Sequence, residues 1–449
     1  MDARYAIRKN QLLEECQVAP EIFEQVIPRL YSFMKPFVKT FQDQMADQHA
    51  KTYVSGLLSN VERKNVESIA YHFGQSRLPL QAFIGWDAWD DAPLRSELLG
   101  QVKTHLGQGD GVLVFDPSGF AKSGHESVGV ARQWCGRLGK VDNCQVAIYL
   151  GYVSRKGHSL VDMRLFLPKA WSKDQARLDK AGVPKAYRAY RTRHQLALEL
   201  LAKNGAWLPH SWIAGDDEMG RPYWFRRQLA ALGERYVLAV PSNTAMRDLE
   251  TALPEYSGRG RPSKRPWHNV GTWSQSLGDE AWQRIDVRDG SKGPLVVEAV
   301  KRRVVSRTHR RQQGEEETLV VIRSRDRDQQ EVVKVDYYLS NAVPGTPLWE
   351  FARVAKAAHR IEECIQRSKS EAGLADYEVR NWTGWQHHQT LSLLATWFLV
   401  RETARGKKMD PCDDLTADSP RHRDDLARDV SVRHDAAYAQ GMPEALATQ

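Results

Sequence analysis

Residues 111–118 read GVLVFDPS, a short apolar run that ends on the carboxylate of Asp116. An uninterrupted apolar run of this length is typical of a strand that is buried on both faces of a sheet. Residues 211–216, SWIAGD, repeat the pattern and end on Asp216. A single Asp in this position more often makes a turn or caps the next helix. Two of them, each closing a buried strand, indicate a shared site at one edge of a sheet.

The segments around these two runs complete an α/β pattern. β-Branched and aromatic runs at residues 145–154 and 159–168 predict two more strands directly after the first. Helical runs at residues 184–205 and 222–233 flank the second Asp-bearing strand, and YVLAVPS at residues 236–242 predicts a further strand. The predicted order is therefore βββαβαβ.

The rest of the chain divides into further zones. Apolar residues recur at helical spacing up to residue 106, and three strand candidates between residues 294 and 340 indicate a β-rich insertion. A long helix is predicted at residues 346–373, followed by a second apolar helix that packs on the core. The charged C-terminal end is poor in apolar residues, and we expect a mobile tail. The predicted divisions are 1–106, 107–243, 244–345, 346–406 and 407–449.

Bulk composition narrows the class of protein without selecting it. The chain has 449 residues, 41% of them hydrophobic, with a formal net charge of +8 and a pI near 9.1. The excess of Lys and Arg favours a polyanionic partner. The sequence has no run of about 18 apolar residues, no Gly-rich loop of the ATPase type, and five cysteines without disulfide-framework or zinc spacing. We therefore expect a cytoplasmic protein with no membrane segment.

Three runs of the sequence resemble a known family. They are VLVFDPSGFAKSGHESVGVARQWCGRLGKVDNCQVAIYLGY at residues 112–152, IAGDDEMG at 213–220, and 337–395, which begins YYLSNAVPGTPLWEFARVAKAAHRIEECIQRSK. They are similar to the DDE transposases of bacterial insertion sequences, in the branch with a β-strand insertion between the second Asp and the Glu. The resemblance spans roughly residues 53–402. It implies a ribonuclease-H-like catalytic core and an enzyme that cuts and joins DNA in the bacterial cytoplasm, in association with the nucleoid.

By this resemblance Asp116, Asp216 and Glu362 are the catalytic acids and the ligands of two divalent ions, Mg²⁺ or Mn²⁺. Asp217 adjoins the second acid, but Gly220 closes the family's short motif in the register that selects Asp216. Strand cleavage and strand transfer are in-line displacements at phosphorus, which two ions about 3.5–4 Å apart can promote. Three carboxylates suit two such ions, because Mg²⁺ usually takes one or two carboxylates and completes its shell with water and phosphate.

The family also carries a signature of Tyr, Arg, the catalytic Glu and Lys on the third acid's helix, where it contacts phosphates of the transposon end. Lys369 matches the Lys and lies on the same helical face as Glu362, whereas Ala355 and Ala358 occupy the Tyr and Arg positions. Two hypotheses follow. The chain is an active transposase, or it is a transposase-derived or decayed DNA-binding protein that does not cut.

The expected partner is double-stranded DNA, as terminal inverted repeats and as target, bound by a homodimer. By analogy the helical domain at residues 1–106 binds the DNA ends, and Arg63 and Lys64 flank a candidate amphipathic run there. Arg259 and Arg261 form an Arg-Gly-Arg core that can lie in a narrow minor groove, although short basic loops are common. Trp267 is a candidate for stacking a displaced base, although a Trp is more often part of a core.

Overall fold

The computed structural model describes residues 25–41, 43–253, 255, 264–288, 295–325 and 332–409. The predicted tail from residue 410 onward lies outside these residues. The described helices, in chain order, are α1 Val26–Val38, α2 Gln44–Leu58, α3 Val66–His72, α4 Arg77–Gly85, α5 Ala92–Leu106, α6 Lys169–Lys173, α7 Gln175–Lys180, α8 Arg193–Asn204, α9 Asp217–Gly220, α10 Tyr223–Ala231, α11 Val270–Gln275, α12 Leu348–Glu371 and α13 Trp382–Met409. Within the described ranges, every helix is too short or too polar to cross a membrane.

The described strands form one mixed sheet. They are β1 Val112–Ala121, β2 Ala131–Cys135, β3 Lys140–Ser154, β4 Gly157–Leu165, β5 Trp212–Gly215, β6 Tyr236–Ala239, β7 Ala245–Asp248, β8 His268–Asn269, β9 Gln283–Arg288, β10 Leu295–Arg307, β11 Gln313–Arg325 and β12 Val332–Ser340. The spatial order is β2-β3-β1-β5-β6-β12-β11-β10-β7-β8, with β4 beside β3 and β9 beside β10.

Five helices, α1 to α5, precede the sheet and confirm the helical region predicted before residue 106. Three of them begin with a side-chain cap, because Asp43, Asn65 and Ser76 each accept a hydrogen bond from a first-turn N–H. Helices α2 and α4 pack against α13. Arg29 of α1 also pairs with Glu402 of α13 at 2.7 Å. The N-terminal helices are therefore attached to the core through the last helix and through α5, which packs directly on β4.

The predicted order βββαβαβ is confirmed by β1, β3, β4, α8, β5, α10 and β6. Strands β1 and β3 are antiparallel, whereas β1 and β5 are parallel, as are β5 and β6. This arrangement of strands and helices is the ribonuclease-H-like core. β2 was not predicted, and the helix predicted over residues 184–205 begins only at Arg193. A capping box between Thr192 and Gln195 sets that start, which follows a single 3-10 turn at Lys185–Tyr187.

The β-rich region predicted at residues 244–345 contains β7 to β12, and its three predicted strands correspond to β10, β11 and β12. These strands continue the core sheet, because β12 pairs antiparallel with β6 and β11 pairs with β12. They enclose a second apolar cluster that includes Met246, Trp273, Val304 and Val321. The extension and the core therefore share one hydrogen-bonded sheet.

A buried ion pair fastens this extension to the core. Arg226 of α10 donates to Glu317 of β11 at 2.7 Å, and both side chains are almost fully buried. The same guanidinium donates to the carbonyl oxygen of Gly220 at 2.5 Å. Glu317 also accepts hydrogen bonds from the hydroxyls of Tyr236 at 2.8 Å and Ser306 at 2.7 Å. A buried charge pair requires this degree of hydrogen bonding to offset its desolvation.

Helix α12 lies close over the sheet because β3 offers a glycine beneath it. Gly151 of β3 pairs with Val114 of β1, and a Cβ at Gly151 would come within 2.4 Å of the Ile361 side chain. Ile361 directly precedes Glu362. This contact therefore sets the height of the Glu-bearing turn above β1.

We expect Gly220→Ala to destabilise the protein, because a Cβ on Gly220 would lie 1.9 Å from the carbonyl oxygen of Ala239 in β6. Relief of such a clash requires backbone movement, and we expect a loss of about 1–3 kcal/mol in the free energy of unfolding. Urea denaturation measures it. Gly100→Ala is the matched control, because its Cβ would meet open space on α5 and should raise stability by about 0.5–1 kcal/mol. Equal stabilities of the two variants would contradict this reading of the contact.

Candidate active site

Two acids lie side by side on neighbouring parallel strands. The sequence predicted that each Asp closes its strand, and Asp216 does follow the last residue of β5. For Asp116 the prediction was wrong, because β1 stays paired with β3 as far as Ala121 and Asp116 lies within the strand. Phe115 of β1 is in register with Gly215 of β5, so Asp116 and Asp216 each lie one residue further along. Asp216 also caps α9, because its Oδ1 accepts the Met219 N–H at 3.0 Å. This bond fixes the orientation of the carboxylate and leaves its second oxygen available.

The side chain of Asp217 has a different environment from that of Asp216. Its side chain is about half exposed and pairs with Arg221 at 2.8 Å, one helical turn later. Asp216 is the acid that faces Asp116. The geometry therefore agrees with the register that the sequence motif selects.

Burial and neighbouring negative charges raise the pKa values of both aspartates. Burial, followed by the charges of Asp216 and Glu362, raises the pKa of Asp116 well above its ordinary value, and Lys369 opposes the shift. Burial raises the pKa of Asp216 to about 7, although the Met219 N–H lowers it and Glu218 raises it further. Without a cation the pair therefore retains protons at a pH where isolated carboxyls have lost them.

Glu362 lies above this pair on α12 with its side chain turned toward solvent. The side chain is 73% exposed and contacts His359 Nδ1 at 3.4 Å. This hydrogen bond lowers the pKa of Glu362, and Glu362 together with Glu363 raises the pKa of His359 to about 9. Glu363, the next residue along α12, contacts the other nitrogen of the same imidazole at 3.2 Å. His359 therefore holds Glu362 away from the two aspartates, while its charge still reaches Asp116.

The donor set fits a divalent cation of the Mg²⁺ or Mn²⁺ type. Asp116 and Asp216 supply hard oxygen ligands side by side, and a cation between them would offset the burial and the neighbouring negative charges that raise their pKa values. Within the described ranges, no three His, Cys, Asp or Glu side chains are close enough to form a ligand cluster. A third ligand requires rotation of the Glu362 side chain away from His359.

Lys369 lies two turns after Glu362 on the same face of α12, and its side chain is fixed beside Asp116. Its amine donates to Ser118 Oγ at 2.8 Å and to the Gly119 carbonyl oxygen at 3.2 Å, both on β1. The two alanines at the family's Tyr and Arg positions face inward. Ala355 is buried in the apolar core, and Ala358 packs against it.

The other predicted DNA contacts are dispersed. Arg63 is exposed in the loop before α3. Lys64 is only 6% exposed, and its amine donates to the Glu371 carbonyl oxygen at 2.7 Å, so it joins the N-terminal helices to the end of α12. We therefore leave Lys64 out of the proposed DNA contacts. Trp267 is partly buried and lies 4.4 Å from the guanidinium carbons of both Arg247 and Arg307.

Arg259 and Arg261 fall outside the described residues. Sequence reasoning also missed three polar residues beside the acids. Glu218 raises the pKa of both aspartates, and Arg193 binds both of its oxygens at 2.7 and 2.8 Å. His359 is the third. Glu218 stood next to Asp217 in the sequence, but nothing in the local pattern linked Arg193 to it.

A ribonuclease-H-like sheet with paired acids on the neighbouring strands β1 and β5 is typical of enzymes of the nuclease type. The model of the DDE superfamily endonuclease family matches residues 36–294, more than half of the chain. The protein belongs to this family. The match contains Asp116 and Asp216 and ends before α12, so it does not include Glu362. No curated protein matches the sequence significantly.

The raised pKa of Asp216 predicts a pH effect on the metal-free protein. The folded state holds a proton up to a pH of about 7, whereas the unfolded chain releases it near 3.8. The contribution of this group to stability is therefore complete below 3.8 and is lost as the pH rises through about 7. We expect the free energy of unfolding to fall by up to a few kcal/mol over this window.

Urea denaturation at a series of pH values measures this slope, with Asp216→Asn and Asp217→Asn compared with wild type. Asn retains the capping oxygen, so Asp216→Asn should fold and show a flatter profile. Asp217→Asn should keep most of the wild-type slope, because burial raises the pKa of Asp216 more than the Asp217 charge does, and added Mg²⁺ should raise wild-type stability near pH 7. An unchanged slope in Asp216→Asn would overturn the assignment.

Proposed function

We propose that this protein is a DDE transposase that cuts DNA at the ends of a mobile element and joins the freed 3′-hydroxyl to target DNA. The observation that carries the proposal is that Asp116 and Asp216 lie side by side on adjacent parallel strands, in a family of endonucleases. Glu362 is the proposed third acid. Mg²⁺ or Mn²⁺, as two ions per site, is the proposed cofactor.

The proposed active-site residues have different roles. Asp116 is set rigidly by strand pairing and Asp216 by its capping bond, so these two form the fixed part of the ligand set. Glu362 is the adjustable part, because its side chain must leave His359 to join them. Divalent ions held there would activate the attacking oxygen and stabilise the leaving one. Lys369 places a positive charge beside Asp116, where a substrate phosphate would lie.

The remaining parts of the chain have proposed roles in handling DNA. We assign the helical region up to residue 106 to recognition of the terminal inverted repeats, with Arg63 as a surface contact. We assign the strands between residues 244 and 345 to an insertion domain in which Trp267, between two guanidiniums, contacts the DNA end. We also propose a homodimer on DNA, because two ends must be brought together for joining.

The test is cleavage of a supercoiled plasmid that carries the DNA flanking the coding sequence, with Mg²⁺. Asp116→Asn, Asp216→Asn and Glu362→Gln should each lower the rate of nicking by about 10²-fold or more, because each removes a metal ligand. Asp217→Asn and Glu363→Gln are matched controls, because each changes an adjacent acid outside the proposed ligand set. Both controls should retain cleavage within a small factor.

A second function is a DNA-binding protein on the same fold that does not cut. Ala355 and Ala358 favour it, because the Tyr and Arg of the family's phosphate-binding signature are absent from α12. The plasmid experiment separates the two functions. Tight, salt-dependent binding of the ends by wild type without metal-dependent nicking would establish the binding protein and exclude the transposase. Nicking that persists in all three acid variants would exclude the proposed site.

A further inference from the structure

A cleft opens beside the acid pair, outside the proposed ligand set. It has a volume of about 320 Å³ and is formed by β2, the chain after β4, the start of α8 and Glu218 of α9. β4 runs parallel to β1, since both are antiparallel to β3, so the chain after β4 emerges at the same edge of the sheet as the two aspartates. Glu218 connects the cleft with the acid pair, because it lines the cleft and its charge helps to raise the pKa values of Asp116 and Asp216.

The floor of this cleft is a fixed ion pair. Arg193 binds Glu218 through both carboxylate oxygens and also donates to Gln133 Oε1 of β2 at 3.2 Å. The Arg193 guanidinium lies 5.1 Å from the ring of Phe166. These contacts neutralise Glu218 and join β2, α8 and α9 in one rigid wall.

The mouth of the cleft carries two more cations. Arg132 of β2 and Lys169 after β4 line it, and both side chains are exposed. The Lys169 amine lies 5.2 Å from the ring centre of Tyr190, which also lines the cleft. Among the described residues neither cation forms an ion pair with a carboxylate, although Arg132 adds to the Asn143 N–H and Lys140 in lowering the pKa of Asp142 on β3. With Arg193 offset by Glu218, Arg132 and Lys169 leave the cleft with a net positive charge.

We propose that this cleft binds the phosphodiester backbone of the DNA strand that passes through the acid pair, on one side of the scissile phosphate. The cations at its mouth complement phosphate charge, and a cleft of this size accommodates about one nucleotide unit. The ring of Tyr190 supports Lys169 and so favours contact with the backbone over stacking of a base. This inference rests on the proposed DNA-cutting function and adds the path of the strand beside the acids.

The test compares the double variant Arg132→Gln/Lys169→Gln with a charge-matched double variant, Arg235→Gln/Lys156→Gln. Lys156 lies in the turn before β4, and Arg235 directly precedes β6, so both are exposed at the opposite end of the sheet from the acids. The full chain is titrated with a DNA duplex that carries a single-stranded extension, at several salt concentrations. Urea midpoints establish that both variants fold.

Each lost phosphate contact lowers the slope of log affinity against log salt by about one. We therefore expect the cleft variant to lose about two from this slope, while the control variant keeps the wild-type value. An uncharged methylphosphonate placed at successive positions beside the cut should weaken wild-type binding at one or two positions. The cleft variant should be insensitive at those same positions.

A wild-type slope and unchanged methylphosphonate interference in the cleft variant would overturn the cleft proposal, whether or not the protein cuts DNA. Cleft-dependent binding in a wild-type protein that never nicks DNA would leave the cleft standing and remove the proposed catalytic function. A loss of slope in the control variant equal to that in the cleft variant would also count against the cleft. It would show that the removal of two positive charges lowers the slope wherever they lie on the protein.

Discussion

The parallel pairing of β1 with β5 is the constraint on which the rest of the molecule depends. The register Phe115↔Gly215 places Asp116 beside Asp216, which follows the last residue of β5, while β1 itself continues to Ala121. The other structural features follow from keeping this pair in place. β3 supports β1 from the other side, Gly151 allows α12 to approach, and the cap on α9 holds the second acid at the end of its strand.

Two like charges held in a buried place are unfavourable until a cation or proton arrives. Three contacts in the protein reduce this repulsion. The Met219 N–H stabilises the charge on Asp216, Lys369 places an ammonium close to Asp116, and His359 holds the third carboxylate aside. None of these replaces a divalent ion between the acids. A ligand that brings positive charge would therefore stabilise both carboxylates.

The sequence predicted the parts of the fold that depend on continuous apolar runs. VLVF and WIA gave β1 and β5 because a buried strand needs apolar residues on both faces, and the spacing in residues 346–373 gave α12. β2 was missed because its residues alternate between partly buried and exposed, and it includes the exposed Trp134. The start of α8 was misplaced because Arg-rich residues before Thr192 are compatible with a helix, and only the capping box decides the boundary.

For the site, Asp116 and Asp216 stood out because each follows an apolar run, although β1 continues past Asp116; side-chain contacts across the fold could not be predicted. Lys64 looked like a surface cation, yet it satisfies a carbonyl oxygen more than 300 residues away, at Glu371. The rotation of Glu362 toward His359 is a choice among side-chain conformers, which spacing does not reveal. The cleft draws its residues from four separate segments, and only the assembled sheet brings Arg132, Lys169 and Glu218 together.

The Arg226–Glu317 pair makes the molecule less modular than its order of segments implies. Arg226 holds the carbonyl oxygen of Gly220, at the end of the short helix that Asp216 caps, and Glu317 stands on the second-last strand of the extension. Removing the extension would leave a buried guanidinium uncompensated, at a cost of about 3–5 kcal/mol, next to an active-site residue. A shorter nuclease therefore cannot be obtained by trimming those strands alone. Any descendant of this chain that lost them would also have had to replace Arg226.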